Sequence, residues 1–527
     1  MKERLFTSSA SLLYTIALCI IFIFVFNYTF DSKLDSNGDN CRYYMLSTSI
    51  VQGHGYADIT DGEYNPINIF PPGYPLLMCA VRIFTDGIVP QKILNGLFFL
   101  TSILILFFLL KKNNLPYSLA FVAVSAGMIN YRVLDFATMM MSEMSFLLFS
   151  ILAIWSIMKM DKEKLFYKDR YFYLLILFAS YSYHIRTQGI ALIFAIVMYF
   201  AFARRWKETL AFIVGFALCL VPWMVRNKLA GLPQERYMDT ISMANPWRPE
   251  DGQLGISEII ARFFSTIKML VTQALPNSIT PFLNVDYLKP ASLLECVVGI
   301  ILVLLIFIGF WRFKQYKWLF VFYFLGTLGI ISIFSSPSGN RYLTALLPVL
   351  QVGVIIGLYT TLNLVMKKFG TGKTCSPWIL SLLILTSVSG IKLLHNENKA
   401  PYYPGYHNFI KVAETVHDKY PKGTVVCSRK PELFYMFAKS RVTSYPFTSN
   451  DKELIKALID NNTEYVVLEN LGFSSTSLYL YPAIEKNQEL FKIMLSYDNP
   501  PTWMLKFDRE KAQQKFATNN EPQSDSK

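Results

Sequence analysis

Eleven hydrophobic segments between residues 10 and 393 decide most of what this chain can become. They lie roughly at 11–30, 88–110, 117–133, 138–158, 171–183, 188–203, 208–224, 292–310, 318–334, 343–364 and 376–393. Crossing about 30 Å of hydrocarbon takes about 20 mostly apolar residues. With no water there to satisfy the backbone, such runs close their own hydrogen bonds as helices. Of 527 residues, 53% are hydrophobic and 17% charged, with a mean hydropathy of +0.33. Soluble domains are rarely so apolar over such a length. The first run, SLLYTIALCIIFIFVFNYTF, is longer than the ~7–15 residues of a signal-peptide core, and no small-residue cleavage site follows it. It reads as an uncleaved span.

Charge sets the expected topology. Six basic stretches separate the spans in alternation: Lys2/Arg4, Lys111-Lys112, Lys159 through Arg170, Arg204 to Lys207, Arg312 to Lys317, and Lys367 to Lys373. The positive-inside rule assigns all six to the cytoplasm. The net charge of +13 is therefore a topology signal rather than a nucleic-acid footprint. The N-terminus falls inside. The long loops 31–87 and 225–291 and everything beyond residue 394 fall outside.

The expected fold class is an α-helical polytopic membrane protein of about 11 spans with a small α/β domain after the last. The membrane part covers residues 1–395, the α/β domain 396–510, and a disordered tail 511–527. Strand-like GTVVCS, RVTSY and TEYVVLEN alternate with helix-like HNFIKVAETVHDKY, PELFYMFA and DKELIKALIDNN, which predicts a largely parallel sheet. In loop 225–291, ISEIIARFFSTIKMLV has the spacing of an amphipathic helix lying on a membrane. The segments 171–183 and 188–203 are short, and the turn between them is polar. Polar groups at membrane depth need a cavity or protein around them. The two halves of the membrane region show no repeat, which counts against common transporter designs.

The chemistry-bearing residues cluster on the expected outer side. Asp39 follows the first span within Gly38-Asp39-Asn40-Cys41-Arg42-Tyr43-Tyr44. A carboxylate there suits a general base drawing a proton from an acceptor hydroxyl. It equally suits an N-cap for the helix-like stretch that follows. Glu143 lies near the start of a span, where an ionisable residue is by default a functional hypothesis or an interfacial group paired with an Arg. Arg42, Arg186 and Arg341 share the outer side, against the positive-inside bias. A guanidinium presents a planar fork of donors suited to phosphate, or else snorkels to water. Tyr74, after Pro71-Pro72-Gly73, sits in a rigid turn. The seven Cys and the lone His54 and His184 have no metal-ligand spacing. A divalent cation around Asp39, Asp58 and Asp61 stays open without being indicated. There is no phosphate-binding GxxxxGK[ST] loop, so no cofactor is expected.

GDNCRYYMLSTSIVQGHGY followed by NIFPPGYPLL resembles the first outer loop of bacterial membrane glycosyltransferases of the GT-C superfamily. It is nearest to the protein O-mannosyltransferase-like and aminoarabinose-transferase-like branch. YHIRTQGIAL and SGNRYLTALLP resemble that family's Arg-containing stretches. The likeness covers about residues 10–395. It implies an inverting transferase of a bacterial cytoplasmic membrane, with a polyprenyl-phosphate-linked sugar as donor. The acceptor would be a lipid, a glycan or a protein hydroxyl, and no nucleic acid takes part. It implies Asp39 as base, Glu143 as its partner, and Arg186 and Arg341 on the phosphate side. Arg42, Tyr43 and Tyr74 are the further expected substrate-binding residues. Asn40 departs from relatives that carry a second acid there. A polysaccharide polymerase or ligase, a lipid-linked-glycan transporter and a non-catalytic membrane subunit are the rival readings.

Overall fold

The computed structural model describes residues 9–517 apart from 37, 162, 234–239, 281–282, 284, 335–338 and 370–373. Lys2, Arg4, Lys373 and the part of the expected disordered tail at 518–527 lie outside the described residues. The chain folds as two compact units. The first comprises Met1–Lys33, Asn68–Ser242 and Leu254–Lys399; the second comprises Leu34–Ile67, Met243–Gln253 and Ala400–Lys527. Loop 31–87 is thus divided between them.

Helices α1 (Ser9–Thr29), α2 (Asp39–Val51), α3 (Gly73–Arg82), α4 (Ile88–Lys112), α5 (Tyr117–Met128), α6 (Tyr131–Ala137), α7 (Glu143–Lys159), α8 (Arg170–Ile185), α9 (Ile190–Phe202) and α10 (Trp206–Leu229) run in order through the first part of the chain. In the first unit, helices Leu293–Trp311, Lys317–Ile333 and Leu347–Lys368 follow later. Among the described residues seven helices are long and apolar enough to cross a membrane, or eight if the pair α5 and α6, bent by 64°, counts as one span. The expected segments 117–133, 138–158, 171–183 and 188–203 are helical but shorter than a full span. Asn130 explains the bend. Its Oδ1 accepts from Val133 N at 3.2 Å, starting a new helix, while its Nδ2 donates to Ser278 O at 2.7 Å. A side chain that caps one helix inside an apolar run ends the one before it.

Outward faces of these helices carry large apolar side chains such as Phe24, Leu210, Leu218 and Leu293. Water penalises that surface and lipid does not. The amphipathic helix expected in loop 225–291 spans Ile256–Met269, with no buried residue.

Polar groups fix the interior. Lys92 of α4 has no solvent exposure, and its Nζ donates to Asp31 Oδ1 at 2.6 Å and Lys33 O at 2.8 Å. Asn95, one turn on, donates to Phe136 O at 3.0 Å and Met139 O at 2.7 Å. That clamp keeps residues 138–142 as a turn. The helix expected from 138 consequently starts at Glu143.

The second unit holds a five-stranded sheet of order β2-β1-β3-β5-β4. Its strands are β1 (Val425–Cys427), β2 (Arg441–Thr443), β3 (Tyr465–Leu468), β4 (Phe491–Tyr497) and β5 (Thr502–Phe507). Strands β1, β2 and β3 are parallel, as the alternation of strand and helix patterns predicts. The sheet is nonetheless mixed, because the hairpin β4–β5 adds antiparallel to β3. Its outer strand is mostly exposed on both faces, so it lacks the clean apolar alternation that betrays a strand. Residues 509–517, expected to lack order from 511 on, form a helix. Ala512 is buried in the domain's apolar core, and Lys515 Nζ bonds Asn487 Oδ1 at 2.7 Å and Glu489 Oε1 at 2.5 Å. Such contacts dock a polar helix whose composition alone reads as disorder.

Removing Asp31 strips a buried ammonium of its carboxylate. Asp31→Ala should destabilise the purified protein by about 3–5 kcal/mol, whereas the double change Asp31→Ala, Lys92→Met should recover most of that loss. Thermal unfolding in detergent measures both.

Candidate active site

Glu143 is the first residue of α7, and it is completely buried. A carboxylate at a helix N-terminus meets the positive end of the macrodipole. Its larger compensation is cationic. Arg186 Nη1 lies 2.9 Å and Arg341 Nε 3.2 Å from the same oxygen, Oε1. Oε2 has no hydrogen-bond partner among the described residues. One carboxylate oxygen thus gathers two guanidinium groups.

Three segments converge to build this cluster. Arg186 sits where α8 stops. Its backbone is extended (φ −145°, ψ 128°), and a single 3-10 turn, Thr187–Gly189, leads into α9. The expected polar turn between two short helices is therefore real, and its side chains are put to use. Arg186 Nη1 also donates to Ser142 Oγ at 2.8 Å. Gln188 Nε2 donates to Tyr342 O at 2.8 Å, tying the turn to the helix Gly339–Thr344 that carries Arg341. The Arg186 guanidinium stands 5.8 Å from the centroid of the Tyr342 ring. Planar cations over ring faces are held more firmly than by charge alone.

The motif Pro71-Pro72-Gly73-Tyr74 packs beneath the same turn. A Cβ on Gly73 would lie 2.7 Å from the backbone carbon and oxygen of His184, so only glycine fits that approach. Tyr181 Oη donates to Gly73 O at 3.0 Å, and Tyr74 is buried at 1% exposure. A cavity of about 410 Å³ opens beside these residues, lined in part by Asn68, Tyr183, His184, Thr187, Trp223 and Asn227. Its walls mix ring faces with amides and a hydroxyl, the composition of a small-molecule site.

Asp39 lies in the second unit, as the first residue of α2. The capping role open to it in the sequence is not taken up. Gly38 is the cap residue, at φ 100°, and no side chain caps the helix. Asn40 supplies the local bonds instead: its Oδ1 accepts from Gly38 N at 3.0 Å and its Nδ2 donates to Asp35 O at 2.9 Å. Arg42 forms an ion pair with Glu432, and Tyr43 is buried. Asp58 and Asp61 are occupied in turns, accepting from Thr60 N at 2.9 Å and from Glu63 N at 2.9 Å. Among the described residues no three His, Cys, Asp or Glu side chains gather as a metal site needs.

Sequence reading singled out Glu143, Arg186 and Arg341, and the structure brings these three together. It missed Ser142, Gln188 and Tyr342, which orient them. It also missed Arg429 and Lys430 of the second unit. Burial depresses Lys430 below the ordinary lysine range, against the opposing pull of Asp39. No local pattern marks a distant lysine as the neighbour of an aspartate.

No family model and no curated protein matches the sequence. Solved structures do match. ArnT from Cupriavidus metallidurans in the apo state aligns with a TM-score of 0.61 at 12% identity, covering 94% of this chain and 98% of that one. The same enzyme bound to undecaprenyl phosphate gives 0.60 at 12%, with the same coverage. The archaeal oligosaccharyltransferase AglB from Archaeoglobus fulgidus, in complex with an inhibitory peptide and a dolichol-phosphate, gives 0.56 at 11%, over 94% and 74%. This chain shares the GT-C fold of these structures. The GT-C resemblance read from the loop motifs is thereby supported at the level of the fold, by an alignment that spans nearly the whole chain.

Within this GT-C fold the arginine pair depends on Glu143. Glu143→Ala should leave two partly buried like charges facing each other and cost about 3 kcal/mol. Gly73→Ala forces a clash worth about 1–3 kcal/mol. Apparent Tm in detergent should fall for both, and more for Glu143→Ala.

Proposed function

We propose that the protein is an inverting glycosyltransferase that moves a sugar from a polyprenyl-phosphate-linked donor to an acceptor hydroxyl. The reaction belongs on the outer face of a bacterial cytoplasmic membrane, with the N-terminus cytoplasmic and the α/β domain outside. The observation that carries the reading is the convergence of Arg186 and Arg341 on one buried carboxylate, in a fold whose neighbour ArnT was solved with undecaprenyl phosphate. Alternating basic loops support the orientation.

Asp39 takes the role of base. Its carboxylate removes the proton of the acceptor hydroxyl as that oxygen bonds to the anomeric carbon. The bond from that carbon to the phosphate oxygen breaks, and polyprenyl phosphate leaves with the electron pair. Inversion follows from attack opposite the leaving group. Arg186 and Arg341 hold the departing phosphate, where charge grows in the transition state and preorganised donors do most. Glu143 fixes both guanidinium groups, so they need no reorganisation when the anion forms. Arg42, Tyr43 and Tyr74 complete the substrate-binding set, Arg42 acting through its pairing with Glu432. The donor's own activated bond drives transfer, so the chemistry calls for no nucleotide.

Sugar transfer by the purified protein tests this, using a panel of polyprenyl-phosphate sugars. Wild type should release polyprenyl phosphate. Asp39→Asn should stay folded and lose about 10²-fold or more, the weight of a general base. Arg186→Ala should fall at least as far. Full activity in Asp39→Asn would remove Asp39 as base. If every donor on the panel survives intact, the transferase reading fails and the transporter reading moves ahead.

A further inference from the structure

Strand order in the second unit creates a topological switch point. From β1 the chain passes through helix Pro431–Ala438 to β2 on one side; from β2 it passes through helix Asp451–Asp460 to β3 on the other. The segments leaving the carboxyl ends of β1 and β3 therefore diverge, and open α/β sheets bind their ligands in the crevice this makes.

Arg429 and Lys430 follow β1 at that crevice, and Glu469 and Phe473 follow β3. The Arg429 guanidinium lies over two rings, 4.7 Å from the centroid of Phe447 and 4.8 Å from that of Phe473, with Trp247 6.0 Å away. Its Nε donates to Ser475 Oγ at 2.5 Å. Rings pack against it and a hydroxyl takes one edge. Among the described residues its two terminal nitrogens make no hydrogen bond. What is left is a fork of parallel donors, held in place, beside the exposed ring of Trp247.

The neighbouring charges decide which anion suits the fork. Lys430 Nζ stands 4.8 Å from the Phe473 ring and would lie 2.9 Å from a Cβ on Gly38, next to Asp39. Its charge is shared with Asp39. Glu469 accepts from Leu471 N at 2.5 Å and from Thr476 Oγ, and its burial pushes its pKa up. With the carboxylates of Asp39 and Glu469 both close to these two cations, a planar monoanion suits the crevice better than a phosphate dianion. Fork and carboxylate meet with two parallel hydrogen bonds. Aromatic walls beside them suit the apolar face of a sugar ring.

We propose that this crevice is an acceptor subsite for a carboxylate-bearing sugar, a uronic acid, with its carboxylate on Arg429 and its ring against Trp247 and Phe473. The word acceptor rests on the glycosyltransferase reading; the binding does not. Lys430 bridges the subsite to Asp39, so a uronate seated there presents its hydroxyls on the side of the base.

Isothermal titration of the full chain in detergent, without donor, tests the binding. The probes are glucuronate, glucose, glucose 6-phosphate and inorganic phosphate. Glucuronate should bind, and glucose at least about 10-fold more weakly. Arg429→Gln should abolish the preference while leaving apparent Tm within a few degrees. Arg429→Lys should restore only part of it, because an ammonium lacks the fork. Equal binding of glucuronate and glucose overturns the proposal. So does tighter binding of either phosphate, or a preference that survives in Arg429→Gln. Donor turnover is measured separately: glucuronate binding without turnover on any donor removes the transferase reading and keeps the subsite, whereas turnover without glucuronate binding does the reverse.

Discussion

A carboxylate buried without solvent contact is the constraint on which the first unit turns. Stripped of water, Glu143 is costly unless paired, and the pair must come from elsewhere in the chain. One arginine arrives from the break between α8 and α9, the other from the short helix before Leu347–Lys368. Neither guanidinium could rest near the other without the shared oxygen. Each unusual local feature then follows. Helices α8 and α9 are short because the polar turn between them delivers Arg186. Helix α7 starts late because Asn95 holds the preceding turn. Gly73 is glycine because the Pro-Pro turn presses against the end of α8.

Much of this was legible in the chain, and the reason is physical. Spans of 19 to 25 apolar residues, such as α4 and Leu293–Trp311, announce themselves because hydrocarbon admits little else. Arg186 and Arg341 announced themselves by lying against the charge bias. Lys92 was equally informative, an ionisable group amid an apolar run, and the same rule that found Glu143 would have found it. The strand β4 was illegible because both its faces are largely exposed. The helix 509–517 was illegible because it is polar and docks through a few contacts. Its sequence cannot reveal a partner surface built from Asn487 and Glu489.

The contacts within the second unit explain why residues 34–67 belong with the tail. Thr60 O accepts from Val442 N at 2.7 Å, and Arg441 Nε donates to Asp61 O at 2.6 Å. Arg42 pairs with Glu432, and Gly38 leaves room for Lys430. A domain boundary read from composition places the loop with the helices it joins in sequence. Hydrogen bonds place it with the strand it covers. Separation along the chain is what defeats the sequence reading here: Asp61 and Arg441 are 380 residues apart.

Asn40 bears on what Asp39 is left to do. An amide both donates and accepts, and Asn40 uses both capacities on backbone groups of the turn. A carboxylate at position 40 could only accept, so the bond to Asp35 O would be lost. The turn is thus closed by a neutral side chain and by Gly38, and neither task falls to Asp39. Proton transfer needs one carboxylate with an open oxygen and a substrate hydroxyl within reach. Under the proposed transfer, Asp39 is the carboxylate beside that turn that would take the acceptor's proton.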